Sequence, residues 1–81
     1  MRYRFTPHAL TRIAERAIPA DWLTETLERP QQVVAADGGR EECQRIFDRA
    51  GSPMLLRVIC EGDLVITALL TSKLGKYGAQ T

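Results

Sequence analysis

The chain has 81 residues, a formal net charge of +1 and 44% hydrophobic residues. This length fits a single domain over residues 1–81. The near-neutral charge excludes a uniformly basic nucleic-acid-binding protein, so any such function needs a local basic cluster. No apolar run approaches the roughly 20 residues that cross a bilayer, and the N-terminus lacks a signal peptide's apolar stretch. We therefore expect a cytoplasmic protein without membrane contact.

The first part of the chain predicts two helices. Residues 2–5 have the composition of a short edge strand, and Thr6-Pro7 then begins a helix, because threonine caps well and proline suits the first helical position. This helix has an apolar stripe at Leu10, Ile13, Ala14 and Ala17. Its other side carries a cationic row spaced by four, at His8, Arg12 and Arg16. Pro19 breaks this helix, and a second one is predicted over residues 20–29, ended by Pro30.

The remaining chain predicts β-structure. Apolar and β-branched runs alternate with Gly-rich or Pro-rich turns, which favours an antiparallel meander. The four predicted strands are residues 33–36, 41–48, 54–60 and 64–72. The predicted fold class is therefore α+β, with two N-terminal helices packed on one face of a four-stranded antiparallel sheet and a short N-terminal edge strand beside it.

Turn positions predict a register for this sheet. A hairpin centred on Gly62 pairs Arg57 with Thr67, and a loop over residues 49–53 pairs Asp48 with Met54 and Arg45 with Arg57. The predicted helix-facing residues are Ile46, Leu56, Val58, Ile66, Ala68 and Leu70. The opposite face then carries Arg45, Arg57 and Thr67 in one row, flanked by Phe47, Leu55, Ile59, Val65 and Leu69.

Two directly opposed arginines repel each other by up to about 1 kcal/mol, and a bridging anion would relieve this repulsion. The row therefore predicts an anion site. The same register puts Cys43 and Cys60 on opposite faces, which argues against a disulfide and fits reduced thiols in the cytoplasm. Two cysteines and one histidine, scattered along the chain, give no metal signature, and we expect neither a metal nor another cofactor.

The opening of the chain resembles that of a known family. His8-Ala9, Arg12, Glu15-Arg16 and Ile18 are similar to the first motif of an uncharacterised bacterial domain family. That family is grouped with the RelE/ParE-type toxin superfamily and with barnase-like and EndoU-like nuclease folds. The ending, from Val65-Ile66-Thr67 through Lys76-Tyr77, is also similar. Ala17 and Pro19 depart from the family, in which glycine and a capping serine are common at these positions.

The resemblance implies two helices on a RelE-like sheet. It also implies a toxin-like, metal-independent ribonuclease or RNA-binding domain of a toxin–antitoxin-type system, with an antitoxin-like protein partner. RNA cleavage needs a base, an acid and cations for the phosphorane charge. The candidate catalytic residues are His8, Arg57 and Tyr77. The candidate phosphate-binding residues are Arg12, Arg16, Arg45, Thr67, Lys73 and Lys76.

Simpler interpretations stay open for each candidate. His8 also fits a solvated first helical turn, and Arg12 and Arg16 also fit a helix surface paired with acids such as Glu15. Lys73 and Lys76 also fit a solvated tail. Glu41 and Glu42 fit protection of a strand edge, or alternatively a carboxylate base. The alternative functions are a non-catalytic protein-interaction module of the same fold and a structural remnant of a larger toxin or phage protein.

Overall fold

A computed structural model describes residues 2–74, so Lys76 and Tyr77 lie outside the described residues. The chain forms two helices, α1 (Pro7–Glu15) and α2 (Ala20–Glu28). Its strands are β1 (Arg4–Phe5), β2 (Gln32–Ala36), β3 (Arg40–Arg49), β4 (Ser52–Glu61) and β5 (Leu64–Thr71). A short 3-10 turn, Asp37–Gly39, joins β2 to β3. The fold is therefore α+β, as predicted.

The sheet has five strands in the order β1-β5-β4-β3-β2 and is mixed. Neighbouring strands from β2 to β5 run antiparallel. β1 is the predicted N-terminal edge strand, and it pairs parallel to β5, with Arg4 beside Leu64 and Phe5 beside Val65. The sheet is thus not purely antiparallel. From β1 the chain forms both helices and then enters the antiparallel meander.

Helix α1 begins and ends with defined caps. The Thr6 hydroxyl accepts a hydrogen bond from the Ala9 N–H at 3.0 Å, and Pro7 occupies the first turn, as the sequence predicts. At the other end the Ile18 N–H donates to the Ile13 carbonyl and the Ala17 N–H to the Ala14 carbonyl. This is the Schellman arrangement, and it places Ala17 in the left-handed region with φ of 51°.

The β3–β4 connection differs from the prediction. It is a two-residue turn, Ala50-Gly51, with positive φ at both residues (51° and 84°). The predicted loop over residues 49–53 is therefore wrong, and so is its register: Asp48 pairs with Pro53 instead of Met54. A slip of one residue turns every side chain of a strand to the other face. The sequence does not indicate this turn, because two-residue hairpin turns usually carry Asn-Gly or Asp-Gly, whereas the first position here is alanine.

The β4–β5 hairpin also differs from the prediction. Its turn is Gly62-Asp63, with Glu61 opposite Leu64, and a β-bulge follows at Ile66. Beyond the bulge Val58 pairs with Ala68. This register lies two residues from the predicted one. A shift of two residues preserves which face each side chain occupies, so the predicted faces of the paired residues beyond the bulge are unchanged.

The two sheet faces have different contents. The helix face, defined by Leu56, Val58, Cys60, Val65 and Ala68, packs with Ala9, Ile18, Leu23 and Leu27 into the apolar core. Leu56, Val58 and Ala68 face the helices as predicted. Val65 takes the place predicted for Ile66, which is half-buried and outside the core. The outer face carries Glu42, Gln44 and Ile46 of β3, Leu55, Arg57 and Ile59 of β4, and Thr67 and Leu69 of β5.

Both helices are nine residues long. Within residues 2–74, neither is long and apolar enough to cross a membrane.

Candidate functional site

The centre of the outer face is a buried polar network. Arg57 donates two hydrogen bonds to the Glu42 carboxylate, from Nε at 2.8 Å and from Nη2 at 2.9 Å. Gln44 lies opposite Arg57 on β3 and donates from Nε2 to Glu42 Oε2 at 2.6 Å. The side chains of Arg57 and Glu42 are only 17% and 8% exposed. A bidentate guanidinium–carboxylate pair of this kind fixes both groups in position.

The pKa of Glu42 reflects this network. Burial alone would raise the pKa of its carboxyl group. The hydrogen bonds from Arg57 and Gln44, together with the charge of Arg57, outweigh burial and hold the pKa below its ordinary value. Glu42 is thus a charged acceptor at neutral pH, and a general base that must take up a proton near pH 7 needs the opposite shift.

One acceptor of the network has no donor. Gln44 is 3% exposed, and its Oε1 atom is buried without a hydrogen-bond partner. An unmade hydrogen bond of this kind costs about 1–3 kcal/mol.

Beside the network lies a cleft of about 330 Å³, lined by Arg40, Glu42, Arg57 and Ile59 with the end of β2. Arg40 is about two-fifths exposed and pairs with Glu61 at 3.3 Å.

The predicted row of opposed arginines does not form. Arg57 pairs across the sheet with Gln44 and Leu69, whereas Arg45 pairs with Leu56 on the helix face. Arg45 donates from Nη1 to the Arg29 carbonyl at 2.6 Å, at the C-terminal end of α2, where a cation suits the helix dipole. The prediction failed because of the one-residue slip at the β3–β4 turn, which exchanges the faces of Arg45 and Gln44.

The candidates on α1 lie on the other side of the sheet from Arg57. His8 is exposed in the first turn of α1, whose buried residue Ala9 packs on the helix face. Arg12 forms an ion pair with Glu15 at 2.7 Å, the surface pairing that the sequence left open. Arg16 is the C-cap of α1, and its Nη1 atom is buried without a hydrogen-bond partner. The structure therefore does not bring His8 and Arg57 together.

Two further candidates lie on or near the outer face. Thr67 pairs with Ile59, and it lies diagonal to Arg57. Lys73 is exposed just beyond β5, and its backbone N–H donates to the Thr71 hydroxyl at 3.1 Å. The predictions for Lys76 and Tyr77 fall outside the described residues. The sheet thus joins Arg57 and Thr67 on one face, and it joins them to neither Arg45 nor His8.

Sequence reasoning missed an aromatic stack on the helix side. Trp22 of α2 stacks on Phe47 of β3, with ring centroids 4.6 Å apart and ring planes inclined by 7°. The Arg49 guanidinium also lies over the Trp22 ring, 5.0 Å from its centroid, and donates to the Ala17 carbonyl. Phe47 was predicted on the outer face, and the one-residue difference in the register of β3 places it on the helix face instead. These contacts of Trp22 and Arg49 anchor α2 and the end of α1 to the sheet.

The two cysteines lie on the same face, contrary to the predicted register. Cys43 pairs with Val58 and Cys60 with Val65, and both thiols are buried and free. Burial, with the neighbouring Cys43 and Glu41, raises the pKa of Cys60 to about 11. Burial and the adjacent carboxylates also raise the pKa of Cys43. Thiols with raised pKa values are poor nucleophiles, so neither cysteine suits catalysis.

A larger cleft, of about 660 Å³, lies at the opposite edge of the sheet. Its lining includes Arg2, Tyr3, Glu28 and Asp63, and it contains neither Arg57 nor His8. We take the smaller cleft as the candidate site, in spite of its size, because the buried Glu42–Arg57 pair lines it. Among the residues that the structure describes, no three side chains of the metal-ligating types come together.

Comparisons of this chain with protein-family models, with curated proteins and with solved structures gave no match.

Proposed function

We propose that this chain is a non-catalytic protein-interaction module with a RelE-like architecture. Its docking surface is the outer face, around the Glu42–Arg57 pair and the adjoining cleft. The partner is an antitoxin-like protein, the class that the resemblance implies, and both proteins act in the cytoplasm. Support for this proposal comes from the contacts of Arg57 and from the composition of the outer face.

The observation that carries the proposal is the ion pair between Arg57 and Glu42. A guanidinium holds phosphate through the same two parallel N–H donors that here hold the carboxylate. A phosphate at this edge of the guanidinium would have to displace Glu42, and breaking a buried pair costs about 3–5 kcal/mol. Glu42 therefore occupies the position that a ribonuclease would leave to its substrate.

The composition of the outer face also suits protein docking. Half-buried Ile46, Ile59 and Leu69 surround the neutralised pair. Interface cores are apolar and poor in uncompensated charge, whereas nucleic-acid surfaces are strongly basic. At the rim, the part-exposed Arg40 guanidinium lines the cleft and pairs through Nε with the exposed Glu61, and an acidic side chain of the partner would compete with Glu61 for it. An acidic, partly disordered segment is therefore the kind of partner we expect.

A metal-independent ribonuclease is the competing candidate. It is favoured by the exposed position of His8, which leaves its imidazole accessible to a substrate, with Arg12 one turn further along α1. In that case the active site would lie on α1 instead of on the outer face. The two candidates therefore place the essential residues on opposite sides of the sheet, and variants can separate them.

The first experiment incubates the purified protein with RNA, with and without EDTA, and measures cleavage and binding over a range of salt concentrations. The parent is compared with His8→Ala and Arg57→Ala, each checked for folding by thermal melting. We expect no cleavage and no binding that depends on either residue. Cleavage that persists in EDTA and disappears in His8→Ala would instead establish the ribonuclease, and RNA affinity would then fall steeply with salt.

The second experiment tests docking directly. The chain is co-expressed with the product of any small reading frame that adjoins its gene and encodes an acidic segment, and co-purification is measured. Ile59→Glu introduces a negative charge beside the cleft, which repels an acidic partner, and Leu10→Glu is the matched control on α1, where Leu10 is 55% exposed. We expect the control to retain the partner and Ile59→Glu to lose it. Equal retention by both variants would refute docking on the outer face.

A further inference from the structure

The strand β2 forms one edge of the sheet and has an unusual composition for an edge. Its sequence, Gln-Val-Val-Ala-Ala, contains no charge and no proline. Its pairing with β3 is unbroken from Gln32–Gln44 to Ala36–Arg40. Within residues 2–74 no strand pairs with its outer side. Every second residue of such a strand directs its N–H and C=O groups away from the sheet, where they can pair with another strand.

The opposite edge of the sheet is protected. There β1 is only two residues long, and the chain turns directly into α1. Thr6 covers the next part of the β5 edge, because its N–H donates to the Val65 carbonyl and its hydroxyl to the Ile66 carbonyl. Proteins commonly protect their edges with short strands, charges, prolines or bulges. β2 is five residues long and has no charge, no proline and no bulge.

The side chains of β2 add an apolar surface to this bare edge. Val33 is 49% exposed, and with Leu10 it is one of the two large exposed hydrophobic residues of the described chain. Ala35 is exposed on the same side of the strand, since Val33 and Ala35 lie opposite Cys43 and Glu41. A partner strand would therefore gain backbone hydrogen bonds and apolar contact together.

We infer that β2 pairs antiparallel with β2 of a second copy of this chain, about a two-fold axis at Val34, so that the two sheets become continuous. In this arrangement Val33 of each copy lies opposite Ala35 of the other. A two-fold interface must be complementary to itself, and an uncharged strand meets this requirement because no like charges oppose each other.

The charges at the ends of β2 favour the second copy over an unrelated peptide. Arg29 precedes the strand; its side chain is 77% exposed and makes only a long ion pair with Glu25, at 3.8 Å, and the exposed Asp37 follows the strand. Antiparallel pairing about Val34 brings the Arg29 end of one copy beside the Asp37 end of the other, at both ends of the joined edge. Opposite charges therefore meet twice. This interface adjoins the docking surface proposed above, because Ala35 and Asp37 also line the cleft, but the pairing of β2 does not depend on that docking.

The pairing can be tested by exchanging charges in the predicted register. The parent is compared by sedimentation velocity, over concentrations up to the millimolar range, with the double variants Val33→Lys/Ala35→Lys and Val33→Glu/Ala35→Glu. Each double variant opposes like charges twice in its own dimer. Two opposed like-charged pairs should raise the dimer dissociation constant at least about tenfold. An equimolar mixture of the two variants opposes unlike charges and should dimerise again.

The matched control is Leu10→Lys, which also replaces an exposed hydrophobic residue with lysine but lies on α1. We expect it to dimerise as the parent does. Thermal melting of each variant establishes that it is folded. A parent that stays monomeric throughout would overturn the inference. A dimer that the lysine pair leaves intact, or a mixture that fails to associate, would also overturn it.

Discussion

The helix face and the outer face of the sheet are held together by different interactions. On the helix face, Leu56, Val58 and Ala68 are fully buried among the side chains of the two helices. Hydrophobic burial is non-directional, so such side chains pack acceptably with several neighbours. On the outer face, the Glu42 carboxylate meets the Arg57 guanidinium through two directed hydrogen bonds. That geometry exists in only one pairing of β3 with β4.

The two faces therefore contribute differently to folding: one mainly to stability, the other to the choice of strand register. The apolar face supplies most of the stability, because burial of its side chains removes the largest apolar area from water. The polar pair adds little net stability, since desolvation of both charges offsets their attraction. A slip by one residue would leave Arg57 buried without Glu42, and that error is costly. The ion pair on the outer face therefore discriminates against a slipped register more strongly than the apolar packing on the helix face does.

The largest effect is expected on the helix face. Leu56→Ala removes a side chain that is 0% exposed and should lower the free energy of unfolding by about 2–5 kcal/mol, through lost burial and the cavity left behind. Chemical denaturation measures this change. Leu69→Ala is the matched control, because Leu69 is half-buried on the outer face opposite Arg57. Equal losses in the two variants would mean that the faces do not differ as described.

A smaller effect is expected from the outer-face pair. Glu42→Gln keeps the shape of the side chain but leaves the part-buried Arg57 without its counter-charge, and we expect a loss of about 3 kcal/mol. Glu41→Gln is the control, since Glu41 is the next residue and is exposed. Denaturant melts of both variants at neutral pH measure the difference. If the two substitutions cost the same, the ion pair does not select the register.

The pH dependence of the same variant gives a second measurement. The pKa of Glu42 is lowered in the folded protein, so its contribution is fully present above the unfolded-state pKa of about 4.3 and is lost as pH falls through the lower folded-state pKa. The stability difference between parent and Glu42→Gln should therefore shrink on acidification. The lowered pKa of Asp63 beside Arg4 affects both proteins equally and cancels in the comparison. A difference that stays constant down to acid pH would contradict the assignment.

The sequence predicted the elements of the fold better than it predicted the pairing of the strands. Apolar periodicity located both helices, although Leu10, Ala14 and Ala17 of the predicted stripe on α1 are exposed and Ala9 is buried instead. Alternation along β4 and β5 located the helix-facing residues Leu56, Val58 and Ala68. These patterns are local and survive a shift of two residues. The face of β3 depends instead on the length of one turn. Ala50-Gly51 does not carry the residues that mark a two-residue turn, so that length could not be deduced from composition.

The candidate site failed at the same point. Arg57 and Thr67 lie on the outer face as predicted. Gln44, instead of the predicted Arg45, lies opposite Arg57, because the observed register of β3 differs by one residue from the predicted one. The sequence did contain a usable signal. An arginine on an otherwise apolar strand needs a carboxylate across the sheet when it is buried, and Glu42 is two residues from Gln44 on the same face. A search for that counter-charge would have favoured the observed register over two opposed arginines.

The smallest effect concerns the end of α1, where the helix layer is connected to α2. Ala17 adopts the left-handed conformation, with φ of 51°, which costs an L-residue with a Cβ atom about 1–2 kcal/mol. The Schellman hydrogen bonds and the Arg49 guanidinium on its carbonyl hold it there. Ala17→Gly should therefore raise the free energy of unfolding by about 1 kcal/mol, although glycine also gives the unfolded chain more freedom. Ala14→Gly, at an exposed position inside α1, should lower it by about the same amount. Thermal and denaturant melts of the two variants should thus move in opposite directions, and a loss of stability in both would mean that the end of α1 is not strained.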